Sequence, residues 1–353
     1  MNILVISNMF PDKKHPNYGV FVKNYCEQLD KLDVKYDLAV MKKSDYKIFK
    51  LLNYFIFYTV SFFKTLFGKY DLVYVHYASY SSVAVLLADK IKPVKIFTNV
   101  HGSDVIPENK RQEKMQYYTK CILKRSEKII VPSEYFKDVV SQKYEINKNK
   151  IFVSPSGGVN KKVFFSENRS DERECFTLGY VGRISHKKGW DVLIKACAKL
   201  NFKYSLMIVG DGIEKARMLD MIEEYNIQNC VNIKSFLSQE ELRKVYNEMD
   251  IFIFPTEREG ESLGLVALEA MACGTPVIAS NYAAPGKYVV DGYNGFKFEV
   301  GNEYDLAEKI CQFKFLTEKE KKDLIEGAKE TAALFSEENT LQSMKSVLWS
   351  KVE

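Results

Sequence analysis

The chain is expected to fold as two doubly wound α/β domains in tandem. Three observations predict this. At 353 residues it is too long for one ordinary core. Short β-rich runs bounded by turns alternate with helical patterns along its whole length, as in parallel sheets covered on both faces. Once only, at 166–174, the stretch "SENRSDERE" interrupts that alternation with charge and Ser/Asn, which reads as a linker.

The first set of strands is expected at 2–7, 36–41, 72–77, 95–100, 128–133 and 151–157. Helical stretches such as "VFVKNYCEQLDKL" (20–32) lie between them. The second set is expected at 176–184, 204–212, 231–236, 251–256, 276–281 and 295–300. Two helix starts carry capping boxes, "SQEE" at 238–241 and "TEKE" at 317–320. The halves share architecture without a sequence repeat.

Composition narrows the function classes. Hydrophobic residues make up 46% and charged residues 27%, the balance of a soluble globular protein. The net charge of +5 comes without a long block of one sign, so nucleic acid is not an expected partner. A phosphate-bearing ligand or an anionic membrane surface suits that balance better. The seven cysteines are scattered and form no CxxC pair, which argues against zinc and for a reducing, cytoplasmic setting. The N-terminus "MNILVISNMF" lacks a basic leader and reads as a first strand.

The segment "IFKLLNYFIFYTVSFFKTLF" (48–67) is strongly apolar and aromatic. Its longest uncharged stretch, Leu51 to Phe63, falls short of the roughly 20 apolar residues that a membrane span needs. Two readings stay open: a buried helix, or an interfacial helix in peripheral contact with the inner face of the cell membrane. Lys42, Lys43, Lys47, Lys50, Lys64 and Lys69 flank it, which suits anionic headgroups across 42–69.

In doubly wound domains ligands sit beyond the carboxyl ends of the strands. In "GRISHKKGW" a strand ends at Gly182, and Arg183 and Lys188 occupy the loop. Arg as a fork and Lys as a point charge could grip a diphosphate there; the bland alternative is a solvated basic loop. In "TEREGESLGLVALEAMACGTPV" (256–277) a helix is expected to start near Ser262, its free N–H groups around Leu263 to Leu265 forming an anion site. Gly264 would let a phosphate approach the backbone.

On one helix, Glu261 and Glu269 would stand about 12 Å apart along the axis and ~80° around it. That is too far for the pair of carboxyls, about 5 Å apart, of a retaining glycosidase. The two acids are expected to hold different parts of one elongated ligand, though a buried ion pair is the alternative for Glu269. "GDG" (210–212), with Asp211, is a weak signal. "HGSDV" (101–105) places His101 and an aspartate at a strand end, where a hydrogen-bonded turn is the alternative, and His76 is expected to be structural. No cluster has metal-ligand spacing. After the first strand only Gly19 is available, so the nicotinamide fingerprint is absent, as is a P-loop.

Together, "EGESLGLVALEAMACGTPVIAS", "GRISHKKG" and "HGSDV" resemble the retaining GT-B glycosyltransferases of family 4, with Glu261 and Glu269 as the E-x7-E pair. The likeness runs over nearly the whole chain and is densest from 176 to 300. It implies a GT-B fold, two Rossmann-like domains facing a central cleft. These would be an acceptor-side domain (1–168), a nucleotide-sugar donor domain (169–335) and a C-terminal helix (336–353) crossing back to the first.

The resemblance implies that Arg183 and Lys188 bind and stabilise the donor diphosphate, and Glu269 the ribose hydroxyls. Glu261 would touch the transferred sugar, with the backbone of Ser262, Leu263, Gly264 and Leu265 on sugar and phosphate. Phe236 and Leu237 would border the base, Gly182 and Asp211 would line the donor site, His101 would reach the sugar near the reacting carbon, and Gly19 would face the phosphates. The implied donor is a nucleotide-diphosphate sugar, UDP favoured over GDP, with no metal or further cofactor. The implied acceptor is a saccharide or lipid-linked glycan precursor. Where many members carry a double glycine in the first loop, this chain has "PNYGVF". Rival readings are a GT-B sugar-nucleotide epimerase, a phosphorylase, or a non-catalytic nucleotide- or carbohydrate-binding subunit.

Overall fold

The alternating pattern is realised strand by strand. The computed structural model describes residues 1–16, 18–155, 157–167 and 175–350. Most of the expected linker, 168–174, lies outside the described residues. The chain divides into two compact units, one formed by 1–157 with 340–353 and the other by 158–339.

In the first unit the order is β1 (Asn2–Phe10), α1 (Val20–Lys31), β2 (Lys35–Lys42), α2 (Lys47–Phe67), β3 (Leu72–His76), α3 (Ala78–Ile91), β4 (Ile96–Asn99), α4 (Lys110–Arg125), β5 (Lys128–Val131), α5 (Glu134–Tyr144) and β6 (Ile151–Val153). Its strands form a parallel sheet in the order β2-β1-β3-β4-β5-β6. The order reverses between β1 and β3, so the crevice of this sheet opens past the ends of those two strands.

The second unit runs β7 (Phe176–Val181), α6 (Trp190–Cys197), β8 (Tyr204–Val209), α7 (Lys215–Glu224), β9 (Val231–Lys234), α8 (Gln239–Glu248), β10 (Ile251–Phe254), α9 (Leu265–Ala272), β11 (Val277–Ser280), α10 (Pro285–Tyr288), β12 (Gly295–Phe298), α11 (Glu303–Lys314) and α12 (Glu318–Leu334). Its sheet is also parallel, in the order β12-β11-β10-β7-β8-β9, the Rossmann arrangement, with the switch between β7 and β10. Both expected capping boxes form, at Ser238/Glu241 and Thr317/Glu320.

Three features differ from the sequence reading. The units part at 157/158 rather than at 168/169, because 158–167 packs with the second. The Val159 N–H donates to the Phe335 carbonyl at 2.8 Å, and Phe164 is buried against Tyr246. Second, α9 begins at Leu265, not near Ser262: Gly264 holds the left-handed conformation (φ 77°) that ends the preceding turn. Glu261 therefore lies in the turn, off the helix, and the single-helix spacing to Glu269 does not apply. Third, the return to the first unit falls at 339/340, within α13 (Glu337–Trp349).

The far part of α13 buries Met344, Val347 and Leu348 among Ile3, Val5, Val22 and Phe97 of the first unit. Beneath it lies Lys128, fully buried. Its ammonium donates to the Val347 carbonyl at 2.6 Å, the Ser350 Oγ at 2.8 Å and the Ser350 carbonyl. It also stands over the rings of Phe97 and Phe152, at 5.1 and 5.2 Å from their centroids. A cation at a helix C-terminus satisfies orphan carbonyls and opposes the helix dipole. No helix among the described residues is long and apolar enough to cross a membrane.

Candidate active site

The site is built on the second unit's switch point. The loops that follow β7 and β10 flank it, and they carry Arg183 and Lys188 on one side and Glu261 on the other. The two loops are tied together. The Lys188 ammonium donates to the Glu261 carboxylate at 2.6 Å, with both side chains largely buried. Around that carboxylate stand the Thr256 hydroxyl at 3.5 Å and the Arg258 guanidinium at 3.9 Å. Its negative charge, after desolvation, helps hold the partly buried Tyr288 phenol far above the ordinary range. The sequence reading set Lys188 on phosphate and Glu261 on sugar as separate duties; in the structure they form one ion pair.

The loop after β7 also borders an open pocket of about 480 Å³, lined by residues at the ends of β7, β8 and β9. Gly182, Arg183, Asp211, Phe236 and Leu237 all border it, so five expected donor residues meet at one concavity. Arg183 is exposed at its edge. Phe236 is 82% exposed, an aromatic ring held in water with one face open to a ligand. The Asp211 carboxylate accepts from the Gly212 N–H at 2.8 Å and the Lys215 ammonium at 3.3 Å. Those bonds hold its carboxyl below the usual range, the Gly212 N–H contributing most.

Glu269 does not line this pocket. It is buried on α9, and the Tyr246 hydroxyl donates to its carboxylate at 3.1 Å. Burial raises its carboxyl to about 7, a rise that the Tyr246 bond only partly opposes. The expected alternative of a buried ion pair is not what is seen, since the partner is a phenol. The free N–H groups at the head of α9 follow Gly264; Leu265 is half exposed there, and Ser262 and Leu263 belong to the turn.

In the first unit, His101 and His76 come together at the ends of β4 and β3. Nδ1 of His76 and Nε2 of His101 are 3.1 Å apart, and Phe21 of α1 covers His101 at a ring separation of 3.9 Å. Burial pushes the His101 imidazole down to about 3, and burial followed by His101 holds His76 well below its usual range. Both rings are neutral near pH 7, so His101 can exchange hydrogen bonds but carries no charge there. The next turn is set by Asp104, whose buried carboxylate accepts the N–H groups of Ala78, His101 and Gly102 at 2.9–3.0 Å. Gly19 stands at the N-terminal cap of α1 with φ 77°, pressed against the Met9 backbone where a side chain could not fit.

Sequence reasoning missed Arg258, Thr256, Tyr246 and Lys215 as partners of the singled-out acids. Asp211–Lys215 and Arg258–Glu261 carried a signal in their i,i+4 and i,i+3 spacing, and the other two carried none. Among the described residues no group of His, Cys, Asp and Glu is arranged to hold a metal ion.

Two Rossmann-like domains, the second with a basic and aromatic pocket past the ends of β7, β8 and β9, are the architecture of the GT-B glycosyltransferases. Comparison with known proteins agrees. The profile for glycosyl transferases group 1 matches residues 160–331, and that for glycosyltransferase family 4 matches 19–157. An uncharacterized glycosyltransferase of Methanocaldococcus jannaschii is 33% identical over 281 residues, covering 78% of this chain and 74% of the relative. Among solved structures, sucrose-phosphate synthase of Thermosynechococcus elongatus superposes with a TM-score of 0.81 at 20% identity, over 99% of this chain and 98% of that one. An Anabaena protein solved in complex with UDP gives 0.76 at 17% identity, over 98% of each chain. The chain belongs to the group 1 glycosyltransferases.

Proposed function

We propose that the protein moves a hexose from a nucleotide-diphosphate sugar, with retention and without a metal, to a saccharide or lipid-linked acceptor in surface glycan synthesis. One observation carries this reading: the loop after β7 both borders the pocket, through Gly182 and Arg183 opposite Phe236, and carries Lys188, which pairs with Glu261 from the loop after β10. Phe236 offers a stacking face for a base. Arg183 and Lys188 supply positive charge for a leaving diphosphate, and preorganised charge is the largest catalytic term in such reactions. Glu261, bound to Lys188, is placed to accept sugar hydroxyls and to hold that ammonium in position. The bond from the anomeric carbon to the diphosphate breaks, and the acceptor oxygen bonds to the same face of that carbon. The acceptor proton passes to the departing phosphate. UDP is the favoured nucleotide, in line with the UDP in the Anabaena neighbour. All seven cysteines are free thiols, which supports a reducing, cytoplasmic compartment.

The test is a thermal-shift screen of nucleotide sugars. A ligand at 100 times its Kd adds about 2.7 kcal/mol of apparent stability, so the right donor should raise Tm by several degrees. A screen in which no nucleotide sugar shifts Tm overturns the donor assignment. Incubation with that donor and an acceptor should then give a product whose anomeric configuration is unchanged by NMR. Interconversion of the free nucleotide sugar, or its consumption by phosphate alone, would replace transfer with epimerisation or phosphorolysis.

Glu269→Gln is expected to raise the donor KM about tenfold at pH 8 with kcat nearly unchanged, since a hydroxyl binds a carboxylate more strongly than an amide. In the native protein the donor KM should rise as pH falls through about 7, where this carboxyl takes up its proton. The variant should lack that step. A pH-independent native KM, or a pure kcat loss in the variant, removes the ribose assignment. Burial disfavours the ionised form of Glu269, so the neutral amide should not lower Tm at pH 8, which separates ligand binding from a structural role.

A further inference from the structure

The helix α2 is amphipathic in the wrong sense for a water-soluble surface. Only Phe57, Ser61 and Thr65 of its 21 residues are buried. The inward stripe thus sets two small hydroxyl residues beside Phe57, with Tyr54 and Tyr58 partly buried against the same core, and among the described residues neither the Ser61 Oγ nor the Thr65 Oγ1 has a hydrogen-bond partner. The outward arc is the apolar one. Ile48 is 81% exposed, Leu51 72% and Phe55 69%, with Phe49, Leu52, Phe63 and Phe67 also open to solvent. An ordinary surface helix has its apolar stripe inside and its polar residues outside. The apolar surface continues onto α3, where Ile91 is exposed and the neighbouring Lys92 ammonium reaches the Leu66 carbonyl at 3.3 Å. A contiguous exposed patch of this kind marks a contact surface.

The charges around the patch identify what covers it. Lys42, Lys43, Lys47 and Lys50 crowd one end of α2, all exposed, and Lys69 lies just past the other. Within α2 there is no Asp or Glu. Two copies joined face to face on this helix, parallel or antiparallel, would bring lysines against lysines with no carboxylate on α2 to compensate. An anionic lipid surface meets both needs, hydrocarbon for the arc and phosphate for its ends. At about 1.5 Å per residue the helix is roughly 30 Å long, and it can lie in the plane of such a surface.

We propose that α2 is a membrane-docking helix, with its outward apolar arc in the interface of an anionic bilayer and the lysines at its ends on the headgroups. This stands on α2 alone, independent of the transfer reaction, and it would bring a lipid-linked acceptor to the first unit.

The experiment is flotation of the full chain with vesicles of phosphatidylcholine plus phosphatidylglycerol, and with phosphatidylcholine alone. The protein should float with the mixed vesicles and bind less as salt rises. Leu51→Ser, Phe55→Ser and Phe63→Ser combined should lower vesicle partitioning at least ~10-fold. These sites are solvent-exposed, so far-UV circular dichroism and Tm should be retained. Lys47→Glu with Lys50→Glu should remove the preference for phosphatidylglycerol. As a probe, Phe55→Trp should shift its fluorescence to the blue on vesicle addition and be quenched by brominated acyl chains. Protein that stays at the bottom of every gradient overturns the proposal. So does a dimer in solution that the triple serine variant dissociates while flotation is unchanged, since the arc would then bind a second copy. Nucleotide-sugar thermal shifts in the serine variant should match the parent, so a failed flotation leaves the donor reading intact.

Discussion

Arg183→Ala and Lys188→Ala should each lower turnover by on the order of 10²-fold or more, as expected for removing one group that stabilises charge in the transition state. Their side effects should differ, because their surroundings differ. Arg183 is exposed at the rim of the pocket, so its loss should leave Tm unchanged. Lys188 neutralises Glu261 where both side chains are largely buried, at 15% and 13% exposure. Removing one member of such a pair strands the other, with Arg258 at 3.9 Å the remaining cation. Lys188→Ala should therefore cost stability as well as rate. Lys188→Met combined with Glu261→Gln should recover the stability but not the rate. Steady-state kinetics with thermal denaturation of the three variants and the parent decide the matter. Near-normal turnover in both alanine variants removes the leaving-group assignment.

The second large effect is structural. Lys128→Met is expected to cost about 3 kcal/mol in urea unfolding: three acceptors at the end of α13 lose a charged donor, each such bond contributing roughly 1.5–3 kcal/mol, and the desolvation cost of burying the ammonium, now removed, offsets part of that sum. Methionine replaces the stem and its packing on Phe97 and Phe152, so the loss isolates the ammonium. Hydrogen exchange should quicken in 340–350 and hardly at all in the second unit, which includes none of the three acceptors. Unchanged stability in the variant would mean that helix packing by Met344, Val347 and Leu348 suffices.

Most of the architecture could be read from the chain because its signals are local. Each of the twelve expected strands overlaps an observed one, and a short apolar run bounded by turns marks a buried parallel strand well. Both capping boxes needed only four residues each. The start of α9 was misplaced because one glycine in a left-handed conformation shifts it by three residues, and nothing in "ESLG" distinguishes a turn from a first helical turn. The Lys188–Glu261 pair was out of reach for a different reason. It joins residues 73 apart, and only the switch of strand order between β7 and β10 brings their loops together. An acid on the apolar run "LVALEAMA" marks Glu269 as unusual, yet its partner Tyr246 sits on another helix with no spacing signal. For α2 the sequence left buried and interfacial readings both open, since a helix apolar nearly all round does not say which arc meets the sheet. Its burial on Phe57, Ser61 and Thr65 answers that.

The first unit cannot complete its core when its own strands have been made. Met344, Val347 and Leu348 are part of that core, and the buried amine of Lys128 waits for carbonyls at 347 and 350. Those residues follow 158–339 in the chain, so they leave the ribosome only after the second unit has emerged. Nascent domains generally fold from the N-terminus onward. Here the order is inverted: the part translated first is the part finished last, and until 340–350 emerge it carries an open apolar seam that chaperones would recognise.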